Sequence, residues 1–178
     1  MNPMKPMKGK WARGIEPRMF CWVIKDRMAA CERPGGYARN HRKVRRMEEI
    51  IWLREQGFTR VVSLLASGHN LHAYEEYGVP WAHFPLGPHA DPRTVLPDLY
   101  PQLRRWLAEG EKLLVHQEEL GDRLMGIMAG YLLWAGKLGT GPQAITVLER
   151  IVGRQMGPPG REIVGMVVEE GVSPVPPA

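Results

Sequence analysis

Three short aliphatic runs, residues 59–65, 79–84 and 112–116, alternate along this chain with segments of helical periodicity. The first reads Thr-Arg-Val-Val-Ser-Leu-Leu and the third Lys-Leu-Leu-Val-His. Runs this short and apolar, without polar alternation, suit strands buried on both faces, the condition of a parallel sheet covered by helices. Before the first run, Val44, Met47, Ile51 and Trp52 share one helical face and precede Gly57, a residue suited to a left-handed helix stop. A Ser-Gly-His-Asn loop and a short helix separate the first two runs. Leu96, Leu99, Leu103, Trp106 and Leu107 mark another helical face, although Pro97 fits only a first turn and Pro101 weakens what precedes it. Helices are further expected over residues 123–135, 141–154 and 160–170. Strands alternating with helices predict an α/β fold, a central mostly parallel sheet flanked by helices. Residues 21–31 are expected to add an antiparallel edge pair.

With 178 residues, 44% of them hydrophobic, the chain has material for one sizeable core. We place that single domain at residues 19–170, between a basic flexible N-terminal tail, 1–18, and a Pro-rich flexible C-terminal tail, 171–178. The net charge of +5 suggests nucleic acid until it is located: residues 1–18 hold Lys5, Lys8, Lys10, Arg13 and Arg18 against Glu16 alone. A second cluster, Arg39, Arg42, Lys43, Arg45 and Arg46, opens a helix, where the macrodipole disfavours cations, so these groups either face water or await an anion. Aromatic residues are not interleaved with either cluster as a stacking surface for nucleic acid needs. No apolar stretch is long enough to span a bilayer and the N-terminal residues lack an apolar leader core, so a cytoplasmic location is expected. Cys21 and Cys31 read as reduced, buried thiols and not as a disulfide framework. His69 and His72 lie three apart without further ligands, so no metal and no cofactor are expected.

The chemistry-bearing stretch begins at the end of the third run: Val115-His116-Gln117, then a loop closing on Arg123 and an apolar helix. This resembles the phosphate-binding loop of the cysteine-dependent tyrosine and dual-specificity phosphatases, His-Cys, five residues, Arg, at the end of a buried strand. The likeness spans about residues 22–170. Ala129, Tyr131 and Leu132 fall where the family's helix carries these residues, Ile24-Lys25-Asp26-Arg27-Met28-Ala29 with Pro34-Gly35 resembles its entry hairpin, and residues 57–65 resemble the helix-to-strand segment of bacterial members. Tyr77-Gly78-Val79 and His83-Phe84-Pro85-Leu86 resemble the approach to the general-acid loop. The resemblance implies a dual-specificity-phosphatase-like fold, an anion cradled by loop N–H groups at a helix N-terminus, and Arg123 as a bidentate clamp. It also implies that His116 is a buried hydrogen-bonding residue behind the loop.

The departures gather where the chemistry would occur. Gln117 replaces the nucleophilic cysteine, and an amide cannot attack phosphorus or carry a phosphoryl group. Leu124 replaces the hydroxyl residue after the Arg. Leu120 replaces the glycine expected three residues after the nucleophile, with Gly121 displaced by one, which puts the tight backbone cradle in doubt. Glu118, Glu119 and Asp122 against Arg123 leave the loop negative, a repulsion of about 1 kcal/mol per charge pair near 4 Å in bulk water. For the general acid two alignments stand open: a literal one puts Pro88 at the acid position and leaves no acid, a shifted one brings Asp91, which an Asx-type turn before Pro92 also explains. A vestigial loop, Gln117, Glu118, Glu119, Leu120, Gly121, Asp122 and Arg123, on an intact scaffold implies a pseudophosphatase with a binding or regulatory role. The alternative is a residual or non-cysteine phosphohydrolase acting on phosphorylated protein or small phosphate esters. A protein partner is expected, a cationic segment meeting the acidic loop or a second copy joining the acidic and basic faces.

Overall fold

The computed structural model describes residues 13–169. Five strands form one sheet: β1 Cys21–Ile24, β2 Met28–Cys31, β3 Arg60–Ser63, β4 Trp81–His83 and β5 Leu113–His116. Their order is β1-β2-β5-β3-β4, with β1 antiparallel to β2 and every other neighbouring pair parallel. Helices α1 Lys43–Glu55, α2 His72–Glu76, α3 Leu96–Ala108, α4 Asp122–Trp134, α5 Gly141–Val152 and α6 Pro158–Glu169 cover it. The expected α/β sheet is present, with one adjustment at its margin. Of the antiparallel pair only β1 is an edge; β2 lies inside, bonded on its far side to β5 in the register Cys31↔His116.

Strand alternation divides the apolar residues between two layers. Met28, Ala30, Val62, Leu113 and Val115 point into the larger core with α3, α4, α5 and α6. Ala29, Cys31, Val61 and Leu114 face the smaller core beneath α1 and α2. Cys21 packs against the first layer and Cys31 lies in the second, so the sheet stands between the two free thiols. Burial raises the Cys21 thiol to about 11 and the Cys31 thiol well above its ordinary value, so neither supplies a thiolate nucleophile at neutral pH.

α1 ends as its sequence indicates, with Gly57 at φ +82°. α3 continues through Pro101 without a break. The proline stands near the helix start, so the bond it forfeits is one to the first turn. The expected basic and Pro-rich tails lie outside the described residues up to position 12 and from position 170. From Arg13 the chain runs against α1: Ile15 donates its N–H to the Glu48 carbonyl at 3.1 Å, and Arg18 O accepts from Glu32 N–H at 3.1 Å. Among the described residues no helix is long and apolar enough to cross a membrane.

Candidate functional site

β5 is the middle strand of the sheet and is buried along its whole length. It delivers residues 117–121 to the sheet's carboxyl edge, and Gly121 then caps α4 with extended backbone, φ −94° and ψ −172°. At such an edge, between a parallel strand and the helix after it, ligands of open α/β sheets bind. A pocket of about 470 Å³ lies there, walled by Gln117, Glu118, Glu119, Gly121, Asp122 and Arg123 and, opposite them, by aliphatic residues that include Leu64, Leu86 and Pro88.

The loop's backbone has free donors. Among the described residues, no protein acceptor takes the N–H groups of residues 118–124, the stretch from the strand end through the first helical turn. The first intrahelical bond, from Met125 N–H to Gly121 O at 3.0 Å, comes only after them. Successive unpaired N–H groups at a helix N-terminus make a concavity of positive potential suited to an anion. Arg123 stands beside them. Its two terminal nitrogens donate to the backbone carbonyls of Pro88 at 3.1 Å and Ala90 at 2.7 Å, which fixes the guanidinium plane. Its Nε is buried without a partner. An unpartnered guanidinium N–H out of contact with water is costly, typically about 1–3 kcal/mol, unless a ligand takes it. The fork that the family resemblance assigns to an anion is thus engaged by the carbonyls of Pro88 and Ala90, and Nε is the guanidinium nitrogen without a partner.

The negative charge of the loop is largely spoken for. Glu118 pairs with Arg33 at 3.3 Å, and its carbonyl accepts the Arg33 N–H at 3.2 Å. Asp122 accepts from Arg154 at 2.8 Å and from Gly157 N–H at 2.9 Å. Those two donors, the Arg154 bond first, hold its carboxyl below the usual range. Glu119 alone of the three has no cationic partner among the described residues. The negative loop expected from sequence is therefore close to neutral, since Arg33 and Arg154 join Arg123 against three carboxylates. Neither arginine carried a local signal. Arg33 comes just after β2, and only the pairing of β2 with β5 places it beside Glu118. Arg154 comes just after Gly153, whose φ of +83° ends α5 and turns the chain back to the loop.

Each departure from the phosphatase signature has a structural counterpart. The Gln117 carboxamide has no partner among the described residues and lines the pocket. Leu124 is fully buried and Leu120 nearly so; both belong to the core, and Leu124 offers the pocket no hydroxyl. The Leu120 carbonyl accepts from Arg154 at 3.4 Å, so the residue in the glycine's place is held through its backbone as well as its side chain. Asp91 caps the short turn Pro92–Thr94, accepting from Arg93 N–H at 2.9 Å and the Arg93 guanidinium at 3.2 Å. Those bonds, with Arg123 nearby, keep its carboxyl ionised and below the usual range, the reverse of what a general acid requires. It does not line the pocket. His116 is fully buried: Nδ1–H donates to Gln117 O at 3.1 Å and Nε2 lies 3.4 Å from the Tyr74 hydroxyl. Burial lowers its pKa to about 4, so it is neutral at physiological pH. Among the described residues no group of three or more His, Cys, Asp or Glu side chains is placed to hold a metal ion.

No protein-family model matches this sequence. No curated protein matches it either. Solved structures do match. Kinase-associated phosphatase, with its catalytic-site cysteine substituted by serine, superposes with a TM-score of 0.70 at 19% identity over 86% of this chain and 96% of that one. Tk-PTP in its active form gives a TM-score of 0.66 at 20% identity over 85% and 97%. Human DUSP28 gives 0.64 at 17% identity over 89% and 97%. The fold is therefore that of the dual-specificity phosphatases, and at these identities the likeness speaks for the fold alone.

Proposed function

We propose that this protein is a pseudophosphatase that recognises a phosphoryl group without transferring it. The reading rests on one observation: among the described residues the N–H groups of residues 118–124 and Arg123 Nε have no acceptor, and the pocket beside them is lined by the Gln117 amide. An amide at that place can donate to a phosphate oxygen and accept from a protonated one, but it forms no covalent intermediate. Leu124 and Asp91 add to this, since neither the leaving thiolate nor the leaving alcohol would find a donor. Neutralisation of Glu118 by Arg33 and of Asp122 by Arg154 removes the main electrostatic objection to an anion in the loop. The resulting role is binding or regulatory, with a phosphorylated molecule as ligand.

Glu119 supports the second reading, a non-cysteine phosphohydrolase, because it is a pocket carboxylate without a cationic partner among the described residues and could act as base toward a water. One assay separates the two. Purified protein, Gln117→Cys and Glu119→Gln are each incubated with an aryl phosphate. We expect no steady-state turnover from any of them, because a restored thiolate would still lack a hydroxyl at position 124 and a protonated acid. Turnover by the unmodified protein that Glu119→Gln abolishes would establish the hydrolase and overturn the pseudophosphatase.

A further inference from the structure

Between Arg33 and Met47 the chain carries Arg33, Arg39, Arg42, Lys43, Arg45 and Arg46 and not one acidic residue. The fold brings two of these residues, Arg33 and Arg46, to the candidate site. Arg33 touches Glu118, a wall residue of the pocket, and Arg33 and Arg46 line a small cleft with His69, Asn70, Tyr74 and His116. The cleft shares Leu65 with the pocket, and its His116 immediately precedes Gln117, so the two depressions adjoin.

Two of these cations serve the fold. Arg45 lies between Glu32 at 3.2 Å and the buried Glu49 at 2.5 Å, and Glu49 also accepts Gly35 N–H at 2.7 Å. Arg33 is joined to Glu118. The other four have no carboxylate partner among the described residues. Arg42 donates to the carbonyls of Arg39 and His41, Arg46 lies 3.4 Å from His41 Nε2, and Arg39, Arg42 and Lys43 are exposed. Desolvation, then Arg33 and Arg46 in turn, lower the pKa of His41, as expected where positive charge is left uncompensated. Four unpaired cations in eight residues repel one another and lower the stability of the compact state. An anion from outside would offset that repulsion.

We infer that the strip from Arg39 to Arg46 is a docking surface for acidic residues flanking a phosphorylated side chain, in a protein partner whose phosphoryl group enters the adjoining loop. This rests on the phosphoryl-recognition reading above. A peptide fits better than a compact metabolite because the exposed cations continue past the cleft, along the turn before α1, while the pocket's aliphatic wall suits a hydrocarbon stem between the anions. In this reading the partner is acidic, in place of the cationic segment expected from sequence, because Glu118 and Asp122 of the loop are already paired while four nearby cations meet no carboxylate among the described residues.

The test uses the full chain and two fluorescein-labelled phosphotyrosine peptides, identical except that three flanking residues are Glu in one and Gln in the other. At low salt the Glu peptide should bind roughly fivefold more tightly, the advantage shrinking as salt is added. In Arg42→Gln/Lys43→Gln, both exposed and bonded to no carboxylate, the advantage should largely disappear while affinity for inorganic phosphate is unchanged. Equal affinity for the two peptides, or an advantage that survives the double substitution, overturns the inference. Binding of a thymidine oligonucleotide as tight as the Glu peptide would also overturn it, since the strip would then be a general polyanion surface. If inorganic phosphate fails to bind the unmodified protein at all, the failure is that of the phosphoryl-recognition reading and not of the strip alone.

Discussion

Gln117 and His116 are consecutive residues with opposite surroundings, and the contrast carries much of the site's physics. The amide of Gln117 faces the pocket, whereas the imidazole of His116 is sealed between the loop carbonyl and Tyr74. Burial above all moves His116 from its ordinary 6.5 to about 4. Above 6.5 the imidazole is neutral in the folded and unfolded chain alike. Below it the unfolded chain takes up a proton that the native state refuses, so stability falls with pH until about 4, where the native state protonates too. Over the interval from about pH 7 to about pH 5 this amounts to about 2 kcal/mol. Urea denaturation at both pH values should show that loss in the unmodified protein and a clearly smaller one in His116→Gln; equal losses would mean that other groups carry the acid sensitivity. The burial of His116 behind the loop was an expectation of the family resemblance, and the fold bears it out. The partners of Arg123 could not be read from the sequence, because the Pro88 and Ala90 carbonyls depend on a loop whose path no local pattern specifies.

At the scale of elements, the loop is positioned by what lies behind it. α4 starts on Asp122, and the turn between α5 and α6 clamps that residue through Arg154 and Gly157 while Arg154 also reaches Leu120 O. Arg154→Met removes the clamp without altering the pocket wall. It should cost about 1 kcal/mol, as loss of a half-exposed pair with further hydrogen bonds does, and should speed amide exchange at residues 118–124 while leaving β5 protected. Unchanged exchange in the loop would show that the turn plays no part in holding it. Close packing of α4 on α6 is what brings that turn near. A Cβ on Gly126 would stand 2.5 Å from Gly160 O, a backbone atom, whereas one on Gly165 meets nothing within 4 Å. Gly126→Ala should therefore destabilise by about 2 kcal/mol or more, and Gly165→Ala should be neutral or gain up to about 1 kcal/mol from helix propensity. Thermal melts of the pair test this; a neutral Gly126→Ala would mean the two helices separate easily. Helix existence and most boundaries were legible in periodicity and capping residues. The contact of glycines across α4 and α6 was not, because two glycines on separate helices say nothing of each other until the crossing brings them together.

Across the whole molecule, the alternation of apolar runs and helical segments carried the architecture: a mostly parallel sheet has few ways to be wound, so run length and order suffice. What the linear order could not carry was charge balance. Glu118, Glu119 and Asp122 look like a repulsive loop in sequence, and become nearly neutral only because Arg33 arrives from β2 and Arg154 from beyond α5. The same folding leaves Arg39, Arg42, Lys43 and Arg46 without carboxylate partners among the described residues, and brings Arg46 of these into the cleft that adjoins the pocket. In the function proposed above, this loop is a receptor for a phosphoryl anion without the means to react with one. A titration of the isotope-labelled protein with inorganic phosphate, monitored through amide and arginine Nε resonances, tests it most directly. We expect the amides of residues 118–124 and Arg123 Nε–H to shift together along one binding curve, with chloride at matched ionic strength leaving them in place. Phosphate that moves none of these resonances, or moves only those of Arg39 to Arg46, would contradict the account.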